Sequence, residues 1–307
     1  MKKILIIVAF TSFAFSVNAQ DTAQDTIWKR GGIVGLNFTQ VSLSNWAAGG
    51  QNSIAGMAIF NYFANYKKGE NSWDNTIDLG YGLTQNGSDN PIKSEDKIDL
   101  ASKYGRHAFG DWYYTAMLGF KSQFSGGYNY PNDSDKISDF MSPAYVTLAL
   151  GMDYKPNENF TMLIAPLSGR IIIVNDQDLA DAGAYGVDPA EYGFFGTKIR
   201  DGENIRYEFG ALFKAAYKKD ILENVNFQTK LELFSNYLED PQNVDVNWEV
   251  LFAMKVNQYI SATLSTQLLY DDNTIITEDT NDDGIIDEAG PRTQFKEVLS
   301  VGFNYKF

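Results

Sequence analysis

The chain contains no cysteine, one histidine and only 8 prolines in 307 residues. Without cysteine there are no disulfides, no thiolate metal ligands, no cysteine nucleophile and no lipidated cysteine anchor. With His107 alone, neither a zinc cluster of histidines nor a conventional histidine-dependent hydrolase site can be assembled from sequence. Basic residues are also scarce: 25 Lys and Arg stand against 39 Asp and Glu, for a formal charge of −14. That balance excludes the basic stripe that a nucleic-acid partner requires. Past Phe15, no apolar run approaches the roughly 18 residues expected of a membrane-spanning helix.

What the chain does have begins with Lys2 and Lys3, an apolar run from Ile4 to Phe15, and the small-residue site "VNA" before Gln20. This is the pattern of a secretory signal peptide cut after Ala19. The expected organisation is a signal peptide over 1–19, a periplasmic N-terminal segment over 20–29 and one domain over 30–307. Aromatic residues make up 14% of the chain, and their placement defines that domain.

About twelve segments alternate apolar and polar residues with the period of a strand. In "RYEFGALFKAAYK", Tyr207, Phe209, Ala211 and Phe213 share one face, while Arg206, Glu208, Gly210 and Lys214 share the other. In "VDVNWEVLFAMKV", Val246, Trp248, Val250 and Phe252 oppose Asp245, Asn247, Glu249 and Lys255. Short connections (67–71, 105–111, 156–159, 218–224 and 257–259) alternate with longer polar stretches beginning near Ser44, Gln85, Gly126, Asn175, Glu239 and Asp271. A soluble sandwich predicts turns of mixed length, whereas two alternating sets predict a closed antiparallel transmembrane β-barrel of about 12 strands with both termini periplasmic. The last segment, "FKEVLSVGFNYKF", is then the strand that pairs with the first and removes the sheet edges that lipid cannot solvate. Ending on Phe307, it looks like the signal by which the outer-membrane assembly machinery recognises its clients.

Two motifs, "FTQVSLSNWAAGGQNS" (38–53) and "APLSGRIIIVNDQDLADAGAYGV" (165–187), stand out, together with "LLYDDN" (268–273) and the terminal "YKF". With these the chain resembles a family of Bacteroidota outer-membrane barrels that carries only a domain-of-unknown-function label. The resemblance implies a Gram-negative outer-membrane location and a barrel fold, and no activity. In the first motif, Trp46 reads as an interface anchor beside a small-residue turn, or as part of a recognition loop. In the second, Pro166 and Gly169 predict a bulge or kink, and "DQDLADAG" predicts a short helix capped at Asp176 or Asp178 and stopped at Gly183. The stretch on to about Asn204 is too long to be structureless and is expected to pack over or into the lumen.

The inward parity carries both signs: Asp74, Asp78, Asp99, Lys103, Lys121, Asp153, Arg206, Glu208, Lys214, Lys230, Glu232, Glu249, Lys255 and Lys306. Such residues either cross-link into a plug or line a narrow passage. In "DTNDDGIIDEAG", Asp279, Asn281, Asp283, Gly284 and Asp287 reproduce the spacing of a calcium loop. There the Ile285 backbone oxygen would be a further ligand, and Glu288 or Glu278 would replace the missing final carboxylate. Calcium is the one ion expected, and no cofactor is. The sequence therefore points to a non-enzymatic outer-membrane barrel, read as a narrow or gated small-solute pore or, alternatively, as a structural barrel docking to other envelope proteins through its outer loops. Its expected partners are outer-membrane lipid and the assembly machinery.

Overall fold

The computed structural model describes residues 27–43, 51–130, 133–278 and 288–307, excepting the side chains of 277, 278 and 288. The signal peptide, Trp46 with its small-residue turn, and the calcium-loop positions Asp279, Asn281, Asp283, Ile285 and Asp287 lie outside the described residues, as do the Glu278 and Glu288 side chains.

Twelve antiparallel strands close into one barrel. They are β1 (Trp28–Val41), β2 (Ser53–Lys68), β3 (Asn71–Asn86), β4 (Ile92–Phe109), β5 (Trp112–Ser122), β6 (Ala144–Asn157), β7 (Phe160–Ile173), β8 (Ile205–Leu222), β9 (Val225–Asn236), β10 (Val244–Lys255), β11 (Ile260–Tyr270) and β12 (Gln294–Lys306). Each pairs with the next, and β12 returns to β1. The alternation in sequence explains the two faces. On β8, Tyr207 is 68% exposed on the outside, whereas its neighbour Glu208 is 3% exposed within. Outward Leu118, Leu148, Leu299 and Phe303 are likewise more than half exposed.

The even strand number puts both ends of the sheet at one rim, which also carries the five tight turns. Gly69 and Gly110 make two of these with left-handed φ of 55° and 53°. The opposite rim carries the loops, although two are shorter than the polar stretches near Gln85 and Glu239 suggest. The β3–β4 connection is only 87–91, because β4 extends to Ile92, and β9–β10 spans 237–243.

The expected irregularity in β7 is a bulge at Pro166. Leu150 pairs with Leu167 and Met152 with Ile164, so β7 has one residue more than its partner. The extra residue changes the inward parity: Leu163 and Ala165 face in before it, and Ser168 and Ile172 after it. The expected helix is also present over Gln177–Asp181, with the Asp176 carboxylate accepting from the backbone N–H groups of Asp178 and Leu179, and Gly183 ends it at φ 71°.

Inside, Met117, Ala149, Leu163, Ala165, Leu212 and Phe234 fill the half of the lumen bounded by β5 to β9. A second apolar cluster, of Ile172, Val174, Leu179, Ala180 and Val187, lies at the loop rim and ties the 174–204 loop to the barrel wall with Tyr145 and Tyr185 against it.

The closing seam is short, running only from Ile33↔Lys306 to Asn37↔Gly302. Beyond it, Gly32 and Phe307 exchange both backbone hydrogen bonds at 2.9 and 3.1 Å. Within it, Gly35 faces Asn304 and Gly302 faces Asn37, so each amide side chain lies over a glycine of the other strand. A Cβ on Gly302 would run into Asn37 and the Leu36 carbonyl, whereas one on Gly56 of β2 would meet open space. Gly302→Val is therefore expected to cost about 1–3 kcal/mol by overpacking. Gly56→Val should leave the urea midpoint in detergent unchanged.

Candidate functional site: the barrel lumen

Strand parity places the charges inside, and the wall curvature then decides which of them meet. Lys121 and Lys214 converge on Glu232 at 2.7 and 2.9 Å. Lys230 reaches across from β9 to Asp78 on β3 at 2.9 Å, and the Asn61 amide donates to the same carboxylate at 2.7 Å. Lys103 binds Asp153 at 2.6 Å, and Lys155 joins Asp74 to Asp153 at 2.5 and 3.2 Å. Asp99 lies in register between Asp78 and Lys121. Lys255 and Lys306 stand exposed near the turn rim and, among the described residues, make no ion pair; Lys218 does the same.

Several partners were not in the inward set read from sequence. Lys97 bridges the lumen to Glu249 at 3.0 Å, and Lys296 reaches Glu95 at 2.9 Å. The largest omission is Arg170. Its guanidinium binds Glu208 at 2.5 Å and Asp245, and lies 4.1 Å from the Phe234 ring centroid. Counted from Leu163, Arg170 has the parity of the outer face, and only the Pro166 bulge turns it inward. Arg206 completes the cluster, holding Glu208 at 3.2 Å and Glu239 at 2.5 Å.

On the other side of the lumen, bounded by β1–β4 and β8–β12, a cavity of about 440 Å³ remains. Five lysines (Lys97, Lys218, Lys230, Lys296 and Lys306) and three carboxylates (Asp78, Glu95 and Glu249) line it.

The 174–204 loop roofs the loop rim. Arg206 donates to the Gly186 carbonyl at 2.7 Å, and Gly186, at φ 78°, lies so close to Arg206 and Asn273 that a Cβ would meet both. Lys136 of the β5–β6 loop binds Asp176 at 2.8 Å, and the Tyr185 hydroxyl donates to the Ile137 carbonyl at 2.7 Å. Hydrogen bonding to Lys136, with help from backbone N–H groups of the helix it caps, lowers the pKa of Asp176. A hydrogen bond from Lys198, and others from the Gly202 N–H and the Gln177 amide, lower that of Asp181 to about 2.

His107 lies in β4, two residues before its end, where its Nε2 donates to the Gly110 carbonyl at 2.9 Å and its ring meets Tyr113 edge-on. That bond ties the strand end to the turn without chemistry. Among the described residues, no cluster of three metal-ligating side chains occurs.

A model of the family described as "Protein of unknown function (DUF3078)" matches residues 38–128, which includes the first sequence motif and not the second. No curated protein matches. Among solved structures, the chain is similar to an outer membrane channel from Pseudomonas putida F1, at 11% identity over 91% of this chain and 94% of that one, with a TM-score of 0.37. It is similar to the NanC porin at 10% identity over 89% and 98%, with a TM-score of 0.36. Outer membrane phospholipase A from Escherichia coli is similar at 9% identity over 92% and 94%, with a TM-score of 0.35. Scores of this size transfer no role to this chain.

Two expected outcomes follow from the lumen and its roof. Arg170→Met should destabilise the barrel by about 3–5 kcal/mol in urea titrations, because it leaves Asp245 without its cation and Glu208 with Arg206 alone. Arg170→Lys should recover only part of this, since an ammonium lacks the guanidinium fork. The roof should respond to acid in a definite direction. The folded pKa of Asp181 lies below its ordinary 3.8, so its contribution is complete above that value and is lost as pH falls through about 2. A spin label at Thr197→Cys should keep constant mobility from neutral pH down to 3.8 and become more mobile towards pH 2.

Proposed function

We propose that this chain is a non-enzymatic outer-membrane barrel whose lumen is a narrow passage for small polar solutes, gated at the loop rim. The membrane part of this reading rests on the outward face. Exposed apolar side chains recur along β1–β8, β10 and β12, and a closed barrel is one of the two structures that satisfy backbone groups in lipid. Near the turn rim, Trp28, Tyr66, Trp73 and Tyr104 stand in register across four neighbouring strands, as in an interfacial aromatic girdle.

The passage rests on one observation, the extent of the cavity. Its lining includes both Lys306 and Lys296 of β12. These positions are roughly 34 Å apart along a strand, or about 25 Å along the axis of a tilted barrel, which is the height of the apolar band of such barrels. A void so long and so small suits a file of water and small ions. Its excess of lysine favours anions, and the roof with its Lys136–Asp176 and Arg206–Gly186 attachments is the gate.

The alternative, a barrel docking to other envelope proteins, is favoured by the hairpin within the roof (residues 191–192 and 198–200). At its tip Phe194 and Phe195 are 98% and 92% exposed. Planar-bilayer recording separates the two. The intact barrel should show small, infrequent anion-preferring openings, and a barrel with residues 177–201 replaced by a Gly-Ser linker should stay open. Lys218→Glu combined with Lys306→Glu should shift the reversal potential towards cations. A barrel that remains silent without its roof would leave the docking reading.

A further inference from the structure

Charge in the cavity does not balance, and the imbalance sits at one end. Three carboxylates line it, and each has a lysine of its own: Glu249 holds Lys97, Asp78 holds Lys230 and Glu95 holds Lys296. That uses every lining acid and three of the five lining lysines. The two left over, Lys218 of β8 and Lys306 of β12, make no ion pair among the described residues. The acids beside them are engaged elsewhere. Asp220, two residues along β8, accepts from the Asn226 amide at 2.7 Å, and a Phe307 oxygen accepts the Gly32 N–H at 2.9 Å; neither residue lines the cavity.

Both lysines lie at the end of the cavity next to the tight turns. Lys218 stands four residues before the end of β8, and Lys306 is the last residue of β12. Three strands separate β8 from β12 in the ring of twelve, so the two side chains approach from different walls. They are near enough for the charge of Lys306 to act on Lys218, and that of Lys230 acts on it too. The rest of this end is lined by uncharged Gln228 and Thr263 and by apolar Ile33, Phe63 and Ala253. Two ammonium groups that share a space with no acid between them repel, and an anion placed there removes that cost.

The packed half of the same rim differs in this respect. There Lys103 and Lys155 also point inward, and the protein supplies Asp153 and Asp74 to meet them. Two lysines stand over two acids where the lumen is filled, and two stand over none where it is open. In the open half, space takes the place of the acids.

We propose that Lys218 and Lys306 form a binding site for a small, doubly charged oxyanion at the turn-rim end of the cavity. Its two negative charges match the two unpaired ammonium groups, whereas a monovalent ion leaves one of them unmatched. Each ammonium is a compact point charge with three N–H donors, which suits oxyanion oxygens without imposing one planar geometry. The site rests on the passage reading above, in which this end of the cavity is open to water, but binding does not require conduction.

Calorimetric titration of the full barrel in detergent, at constant ionic strength, tests this with sulfate against chloride. Sulfate should bind about tenfold more tightly than chloride, or better. Lys218→Met should weaken sulfate binding about tenfold, and Lys306→Met likewise. Lys219→Met is the control, because Lys219 carries the same charge at the same rim but has the outward parity and pairs with Phe227. Equal affinity for the two ions would overturn the site. So would an equal loss in Lys218→Met and Lys219→Met, which would reduce the effect to surface charge. Lys306 lies on the closing strand, so if Lys306→Met fails to fold, Lys218→Met decides. Planar-bilayer recording bears on the passage separately. A silent barrel that binds sulfate in this way ends the pore reading and keeps the site, and a conducting barrel that does not distinguish the ions ends the site and keeps the pore.

Discussion

Backbone N–H and C=O groups along a sheet edge have no strand partner unless the sheet closes on itself, and the rest of this structure depends on that constraint. It makes the sheet close, and the up-and-down antiparallel order brings both its ends to the same rim. Closure also gives every strand one face towards the lumen and one towards the exterior, which is why alternation persists through the chain. The same constraint makes the closing seam the sensitive place. Its paired length is the shortest in the barrel, and it depends on two glycines that let asparagine side chains lie flat across the joint. Above its few rungs, among the described residues, Phe38–Val41 pairs with β2 alone and Gln294–Val301 with β11 alone.

The interior is divided. One half is packed with apolar side chains, and the other retains space among charges. Burying ion pairs is seldom a source of net stability, because desolvation offsets most of the attraction. Their value here is geometric. Lys97–Glu249, Lys230–Asp78 and Lys296–Glu95 cross the lumen, bracing walls that backbone bonds connect only around the circumference. Arg170 does the same at the loop rim, with the Phe234 ring beneath its guanidinium.

Much of this was legible in sequence because strand periodicity is local. The five tight turns, the bulge at Pro166 and the helix after Asp176 follow from neighbouring residues, and each lies where the chain places it. Pairings across the lumen depend on curvature and were not legible. Parity assigns Glu249 to the inside without saying that Lys97, 152 residues away, is its partner. Arg170 escapes simple alternation for a related reason: Pro166 signals a bulge, and the bulge inverts the parity of every later residue of β7. The β3–β4 loop reads longer in sequence than it is because the polar residues after Gln85 alternate poorly, although backbone pairing continues through Asn86 and resumes at Ile92.

The distances in sequence spanned by the lumen ion pairs bear on the order in which the barrel assembles. Glu95 obtains its counter-ion from Lys296, 201 residues later, and Asp78 from Lys230, 152 residues later. A chain threaded from its N-terminus therefore has its first four strands in place while their inward carboxylates lack their lysines. The unfinished sheet must stay hydrated along that face, and its charges are neutralised in turn by Lys155 of β6, Lys230 of β9 and Lys296 of β12. Each later part of the chain thus brings the counter-ion that an earlier strand lacks, and the last strand brings the one for Glu95.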